Sequence, residues 1–84
     1  MKTVSKIIET IEFGKCRQDI TITFKYDSES VEDIVIQHDN YENGKHIVTH
    51  IATGLYTDAM QQAMIESAIP DDVVEELEDK IFRH

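Results

Sequence analysis

Eighty-four residues suffice for one compact domain and are too few for two, since a chain this short buries only roughly 60% of its unfolded surface. With 40% hydrophobic residues, three glycines and one proline, the composition is that of a globular chain and excludes a disordered one. Seventeen acids against eight Lys and Arg leave a formal net charge of −9, a field that repels nucleic acid and anionic membrane and speeds encounter with basic partners.

Between Thr3 and Phe13 the apolar residues Val4, Ile7, Ile8 and Ile11 recur at i, i+3, i+4 and i+7, the spacing of one helical face, and Gly14 follows as a C-terminal stop. The β-branched content argues for a strand. Alternation fails, however, because Lys6 and Glu12 share a parity with Val4 and Ile8, so the expected element is a helix. From Asp19 to Asp27 the period becomes two, with Ile20, Ile22, Phe24 and Tyr26 on one face and Thr21, Thr23 and Lys25 on the other, which reads as a half-buried strand. Asp27-Ser28-Glu29-Ser30 is turn chemistry, after which Ile34 and Ile36 resume the alternation.

Asn43-Gly44 is the strongest short hairpin signal, because both residues tolerate positive φ. Taken as a two-residue turn, it pairs Ile36 with Ile51 and Asn40 with Ile47, and it sets His46 across from Tyr41 and His50 across from Gln37. Gly54 ends this third strand. Tyr56, Ala59, Met60, Ala63, Met64 and Ala68 then follow helical spacing up to Ile69, with Thr57 as N-cap. Pro70 suits the first turn of another helix, where Asp71, Asp72 and Glu75 favour the dipole, Val73, Val74, Leu77 and Ile81 form the buried stripe, and Lys80 and Arg83 fall in the last turn. The expected fold class is α+β in the order α-β-β-β-α-α, a three-stranded antiparallel meander with helices packed on one face, as a single domain over residues 1–84.

No metal, cofactor or catalytic set emerges from the residue pattern. His46 and His50 on one strand stand about 13 Å apart at roughly 3.3 Å per residue, too far to share an ion. The stretch from Asp39 resembles a calcium loop only superficially, with Tyr41 at the third position and His50 at the twelfth, where oxygen ligands are required. Cys16 is the only cysteine, which rules out an internal disulfide and fits a reducing compartment; Lys15 and Arg17 flank it, but nothing places a His beside it. Glu9 and Glu12 interrupt any signal-peptide core and no run approaches a membrane span, so the chain is expected to be cytoplasmic. The two C-terminal helices do not make a DNA reader, because Asp71, Asp72, Glu75, Glu76, Glu78 and Asp79 would repel phosphates. Met60 and Met64 read as core filling.

The acidity itself is unevenly placed. Residues 1–25 carry five bases and three acids, whereas residues 26–79 carry fourteen acids and Lys45 alone. Two groups stand out: Asp27, Glu29, Glu32, Asp33, Asp39 and Glu42 around the strand connections, and Asp71, Asp72, Glu75, Glu76 and Asp79 on the last helix. Carboxylates on rigid elements can imitate a row of phosphates, and they can equally be a solvated surface.

In order and composition the chain resembles the small acidic anti-CRISPR inhibitors made by phages, one family of which mimics DNA to block a type II CRISPR nuclease. The likeness runs through IIETIEF as a short helix, ITITFKY as a strand, the acidic turn DSES and the hairpin VIQHDNYENGKHIV, followed by two helices. It implies a non-enzymatic inhibitor that presents both acidic groups to a basic nucleic-acid-binding protein and does not bind nucleic acid or membrane itself. Two other classes fit the same composition: an antitoxin or immunity-type partner of a basic toxin, and a structural or assembly protein that forms a homodimer through Thr21, Thr23, Val35, Gln37, Tyr41, His46 and Val48.

Overall fold

The N-terminal segment is a strand, not a helix. In the computed structural model, which describes residues 1–27 and 29–77, β1 spans Lys2–Phe13 and pairs antiparallel with β2, Cys16–Tyr26. Two features account for the broken alternation. Lys6 does lie on the same face as Val4, but its ammonium reaches out to the Ser67 carbonyl at 3.2 Å, so a charged head sits at a helix C-terminus while its stem lies along the apolar face. Then a bulge intervenes: Ile7 pairs with Thr21 and Glu9 with Ile20, leaving Ile8 as an extra residue. The bulge resets the phase, so Glu12, opposite Arg17, falls on the other face from Lys6. Gly14 is not a helix stop. With φ at +60° it opens the Gly14-Lys15 turn between β1 and β2, the position at which a type II′ hairpin takes glycine.

The architecture is α+β, with four strands where three are expected, in the sheet order β1-β2-β3-β4, and every neighbouring pair is antiparallel. β3 spans Val31–Glu42 and β4 spans Lys45–Ile51. Asp27 organises the turn into β3 by accepting from the backbone N–H groups of Glu29 and Ser30 at 2.8 and 2.9 Å. A second bulge sets Asp33 and Ile34 against Phe24, and Asp33 takes φ of +54° there, a conformation that Asp tolerates because its short side chain can bond locally. That bulge lets Val31 and Ile34, of opposite parity, both reach the core.

The Asn43-Gly44 turn stands as expected, with φ of +52° and +78°, the signature of type I′. Glu42 pairs with Lys45 and Tyr41 with His46. Beyond them a third bulge at Ile47 shifts the register, so Asn40 faces Val48 rather than Ile47, Gln37 faces Ile51, and His50 lies opposite His38 rather than Gln37. The shift leaves Ile47 and Ile51 at 58% and 69% exposed, outside the core that the expected register would give them.

The core lies on one face of the sheet, where Ile20, Ile22, Phe24, Tyr26 and Ile36 meet Ile65 and Ile69 from the helical layer. Phe24, Ile22, Ile36 and Ile65 are fully buried, each contributing about 1.5–3 kcal/mol of transfer free energy. After β4, the Ala52 N–H donates to Ile36 O and the Thr53 hydroxyl accepts from Ile36 N–H, which turns the chain across the sheet. Helix α1, Asp58–Ala68, is capped by Thr57, whose hydroxyl accepts from Met60 N–H. Its inward stripe is Ile65 with Met64 and Ala68, whereas Met60 is 48% exposed, so of the two methionines only Met64 fills the core. Pro70 carries the chain into α2, Asp71–Leu77, and its carbonyl accepts from Val73 and Val74, the two α2 residues packed on the core. The expected contributions of Ile81, Lys80 and Arg83 lie outside the described residues, as does the side chain of Leu77.

Candidate functional site

The helices cover one face of the sheet, and the other face carries a polar constellation across all four strands. Thr10, Asp19, Asp39 and Thr49 form one cross-strand row, and Glu12, Arg17, Tyr41 and His46 form the next. Asp19 is buried, at 6% exposed, and accepts a hydrogen bond from the Thr10 hydroxyl at 3.0 Å. Arg17 Nε lies 3.4 Å from the same carboxylate oxygen, close enough for attraction but without hydrogen-bond geometry, and it is otherwise unpartnered among the described residues. The Arg17 guanidinium instead stacks 4.3 Å over the Tyr41 ring, and His46 meets that ring edge-on at 5.4 Å.

Asp39 accepts from the Thr49 hydroxyl at 2.5 Å and from the Gln37 amide at 3.2 Å, with His46 Nε2 at 3.8 Å. These hydrogen bonds, with His46 adding a smaller effect, hold its carboxyl below the ordinary carboxylate range. His46 Nε2 also sits 2.7 Å from the Thr49 oxygen. A Thr, His and Asp within reach invite comparison with a nucleophile triad, but the order is wrong. The single Thr49 proton goes to an ionised Asp39, so His46 must act as donor to Thr49 and cannot withdraw its proton. The set fixes side chains on an open sheet rather than activating a hydroxyl.

The acids expected around the strand connections are not gathered in one place. Asp27, Glu29, Glu32 and Asp33 lie at one end of the β2-β3 hairpin and Glu42 at the far end of β3, about 33 Å away at roughly 3.3 Å per residue, with Asp39 between. Three of them have internal roles. Asp27 is held below its ordinary range by the Glu29 and Ser30 amides, Asp33 lies 3.6 Å from Lys25 Nζ, and Asp39 anchors the polar face. Glu29, Glu32, Glu42, Asp71, Asp72 and Glu75 are exposed, and among the described residues no ion pair reaches them. The side chain of Glu76 and the whole of Asp79 lie outside the described residues.

The sequence reading missed Asp19, Arg17, Thr10 and Thr49 as a set. An Arg-x-Asp pair on an otherwise apolar-alternating strand was the available signal, but its partners are brought together only by the register of two other strands. The histidines divide between the faces: His46 belongs to the polar row, whereas His38 bonds the Tyr56 hydroxyl at 2.8 Å on the helical side. Burial, with Glu9 nearby, raises the Tyr56 phenol above its ordinary value. Cys16 lines a shallow cleft of about 250 Å³ with Phe13, Gln18, Asn40 and Ile47. Arg17, its neighbour in sequence, is engaged with Asp19 and Tyr41. No candidate metal cluster of three or more ligands occurs, and no helix is long and apolar enough to cross a membrane, among the described residues. Comparison with protein-family models, with curated proteins and with solved structures finds no match to this chain.

Proposed function

We propose that the chain is a non-enzymatic acidic binding protein that occupies the basic, nucleic-acid-binding surface of a partner protein and so inhibits it. The observation that carries this reading is the set of exposed acids that form no ion pair among the described residues, Glu29, Glu32, Glu42, Asp71, Asp72 and Glu75, on an elongated body of 43 × 21 × 19 Å. Duplex DNA carries one charge per about 1.7 Å, or about 25 over that length. A net charge of −9 is roughly a third of this, so the chain substitutes for a few phosphates rather than for a continuous duplex. The phage-inhibitor likeness keeps its acidity and its hairpin but loses the N-terminal helix over IIETIEF, which is part of β1.

The test is binding to a basic nucleic-acid-binding protein recovered with the tagged chain, titrated against salt and against duplex DNA. Affinity is expected to fall steeply with salt, and DNA is expected to compete. Glu29→Gln with Glu32→Gln, which removes charge without volume, should weaken binding at least tenfold, about 1.4 kcal/mol. Binding that neither salt nor DNA affects would overturn the proposal in favour of a partner of the antitoxin or immunity type.

A further inference from the structure

The sheet has two open edges, and they differ. β4 is seven residues long and bulged at Ile47. β1 is twelve residues long, and among the described residues no main-chain hydrogen bond links it to any element other than β2. A long unpaired edge is a template for a further strand, and proteins that leave one bare blunt it with charge or cover it. β1 carries Lys2 and Lys6 in its first half and Glu9 and Glu12 in its second, so its charges would repel in a parallel copy and attract in an antiparallel one.

The bulge at Ile8 then restricts the register. Antiparallel partners share a face, and the bulge puts Val4 and Lys6 on the same face as Glu9, Ile11 and Phe13, although their parities differ. Antiparallel self-pairings whose residue numbers sum to an odd number match faces on both sides of the bulge, and of these one overlaps the whole of β1. It sets Lys2 against the partner's Phe13, Val4 against the partner's Ile11, and Lys6 against the partner's Glu9 on the helical face. On the open face it sets Thr3 against the partner's Glu12 and Ser5 against the partner's Thr10. Each of the five pairs occurs twice by symmetry: an apolar pair, an opposite-charge pair, a hydroxyl pair, a hydroxyl against a carboxylate, and a lysine stem against an aromatic ring.

The same arrangement accounts for a lopsided feature of the monomer. The helical layer packs against Val4 and Ile8 in the first part of β1, while Ile11 and Phe13 on that face are left 39% and 66% exposed. Antiparallel self-pairing brings the bare half of each β1 beside the helix-covered half of the other. We infer that a second copy of this chain is the occupant of the β1 edge, forming a two-fold dimer with a continuous eight-stranded sheet. This inference is independent of the acidic-partner reading, which uses β3, the turn before it and α2.

The experiment is sedimentation of the full chain over a range of concentrations, together with a charge swap. A concentration-dependent dimer is expected, and Glu9→Lys or Lys6→Glu alone should weaken it at least tenfold by placing like charges opposite each other. The double variant Lys6→Glu with Glu9→Lys should restore it. Because Lys6 also touches Ser67, a second test avoids that site. In a Cys16→Ser background, Ser5→Cys with Thr10→Cys should oxidise to a covalent dimer. Within one chain these positions are about 16 Å apart on a strand, beyond the roughly 7 Å Cα limit of a disulfide. A monomer at every concentration would overturn the proposal. So would a dimer that neither responds to the swap nor cross-links at this pair, since a different surface or register would then hold it.

Discussion

The three glycines make a controlled experiment in backbone conformation. A Cβ built on Gly14, Gly44 or Gly54 meets no atom within 4 Å, so steric contact with neighbours contributes nothing at any of the three. What separates them is φ, which is +60° at Gly14 and +78° at Gly44 but outside the left-handed region at Gly54. An L side chain in the left-handed region costs about 1–2 kcal/mol, and a β-branched one more. Gly44→Ala should therefore destabilise by about 1–2 kcal/mol and Gly44→Val by at least as much, while Gly44→Asn, which accepts positive φ, should cost less. Gly54→Ala should be neutral or stabilising by up to about 1 kcal/mol, because it restricts only the unfolded chain. At about 4–8 °C per kcal/mol for a domain of this size, the Gly44→Val midpoint should fall by at least about 4 °C. Thermal and urea unfolding followed by circular dichroism resolve such shifts. Equal costs at Gly44 and Gly54 would refute the reasoning, because open space without the φ difference cannot distinguish them.

Further outcomes follow from the packing and the polar face. Ile65→Ala should cost about 2–5 kcal/mol as a fully buried truncation, against less than about 1 kcal/mol for the half-exposed Met60→Ala, and comparable urea midpoints would mean that α1 presents a different stripe. Asp33→Asn should change stability by less than about 0.5 kcal/mol, because the Lys25 pair is exposed and Asn tolerates φ of +54°, whereas Asp33→Val should lose more than about 1 kcal/mol by chemical denaturation. The Asp39 carboxyl is held low when folded, so its contribution is present above the ordinary carboxylate value of about 3.9 and is lost as pH falls through the folded value. The stability gap between the native chain and Asp39→Asn should accordingly narrow as pH falls below about 4, and a gap that stays constant on acidification would place the origin of the low value elsewhere.

How far the sequence revealed the fold can be seen strand by strand. β2 was legible because its alternation is unbroken over Ile20, Ile22, Phe24 and Tyr26, and the β3-β4 turn was legible because Asn-Gly has a narrow conformational use. β1 was misread because two of its features defeat a parity count: a lysine whose stem lies on the apolar face, and a bulge that resets the phase. Four-residue spacing between Val4 and Ile8 is shared by a helix face and by alternate positions of a strand, so the pattern did not discriminate. The same limitation displaced Ile51 and His50 by one position, since a bulge at Ile47 leaves no mark in composition. Thr57 as cap and Pro70 before α2 were readable from local chemistry. The acidic groups could be named from sequence, but whether each carboxylate had an internal partner depended on register and turn geometry, which is why Asp27, Asp33 and Asp39 separated from Glu29, Glu32 and Glu42 only in three dimensions.

The sheet order also bears on how the chain acquires its structure. Because each strand pairs only with the strands adjacent in sequence, every ladder can close from a short turn, and no pairing requires a distant segment to arrive first. Closing such short loops costs little chain entropy, and hairpins form in about 1–10 μs, so the sheet can assemble by zipping outward from its turns. The β2-β3 hairpin holds Ile20, Ile22, Phe24 and Ile36, the densest apolar set, and is placed to form first, with β1 and β4 added at its flanks and the helices docking on the completed face. Substitutions in α1 should then act mainly on the unfolding rate, while those in the β2-β3 hairpin should slow folding itself.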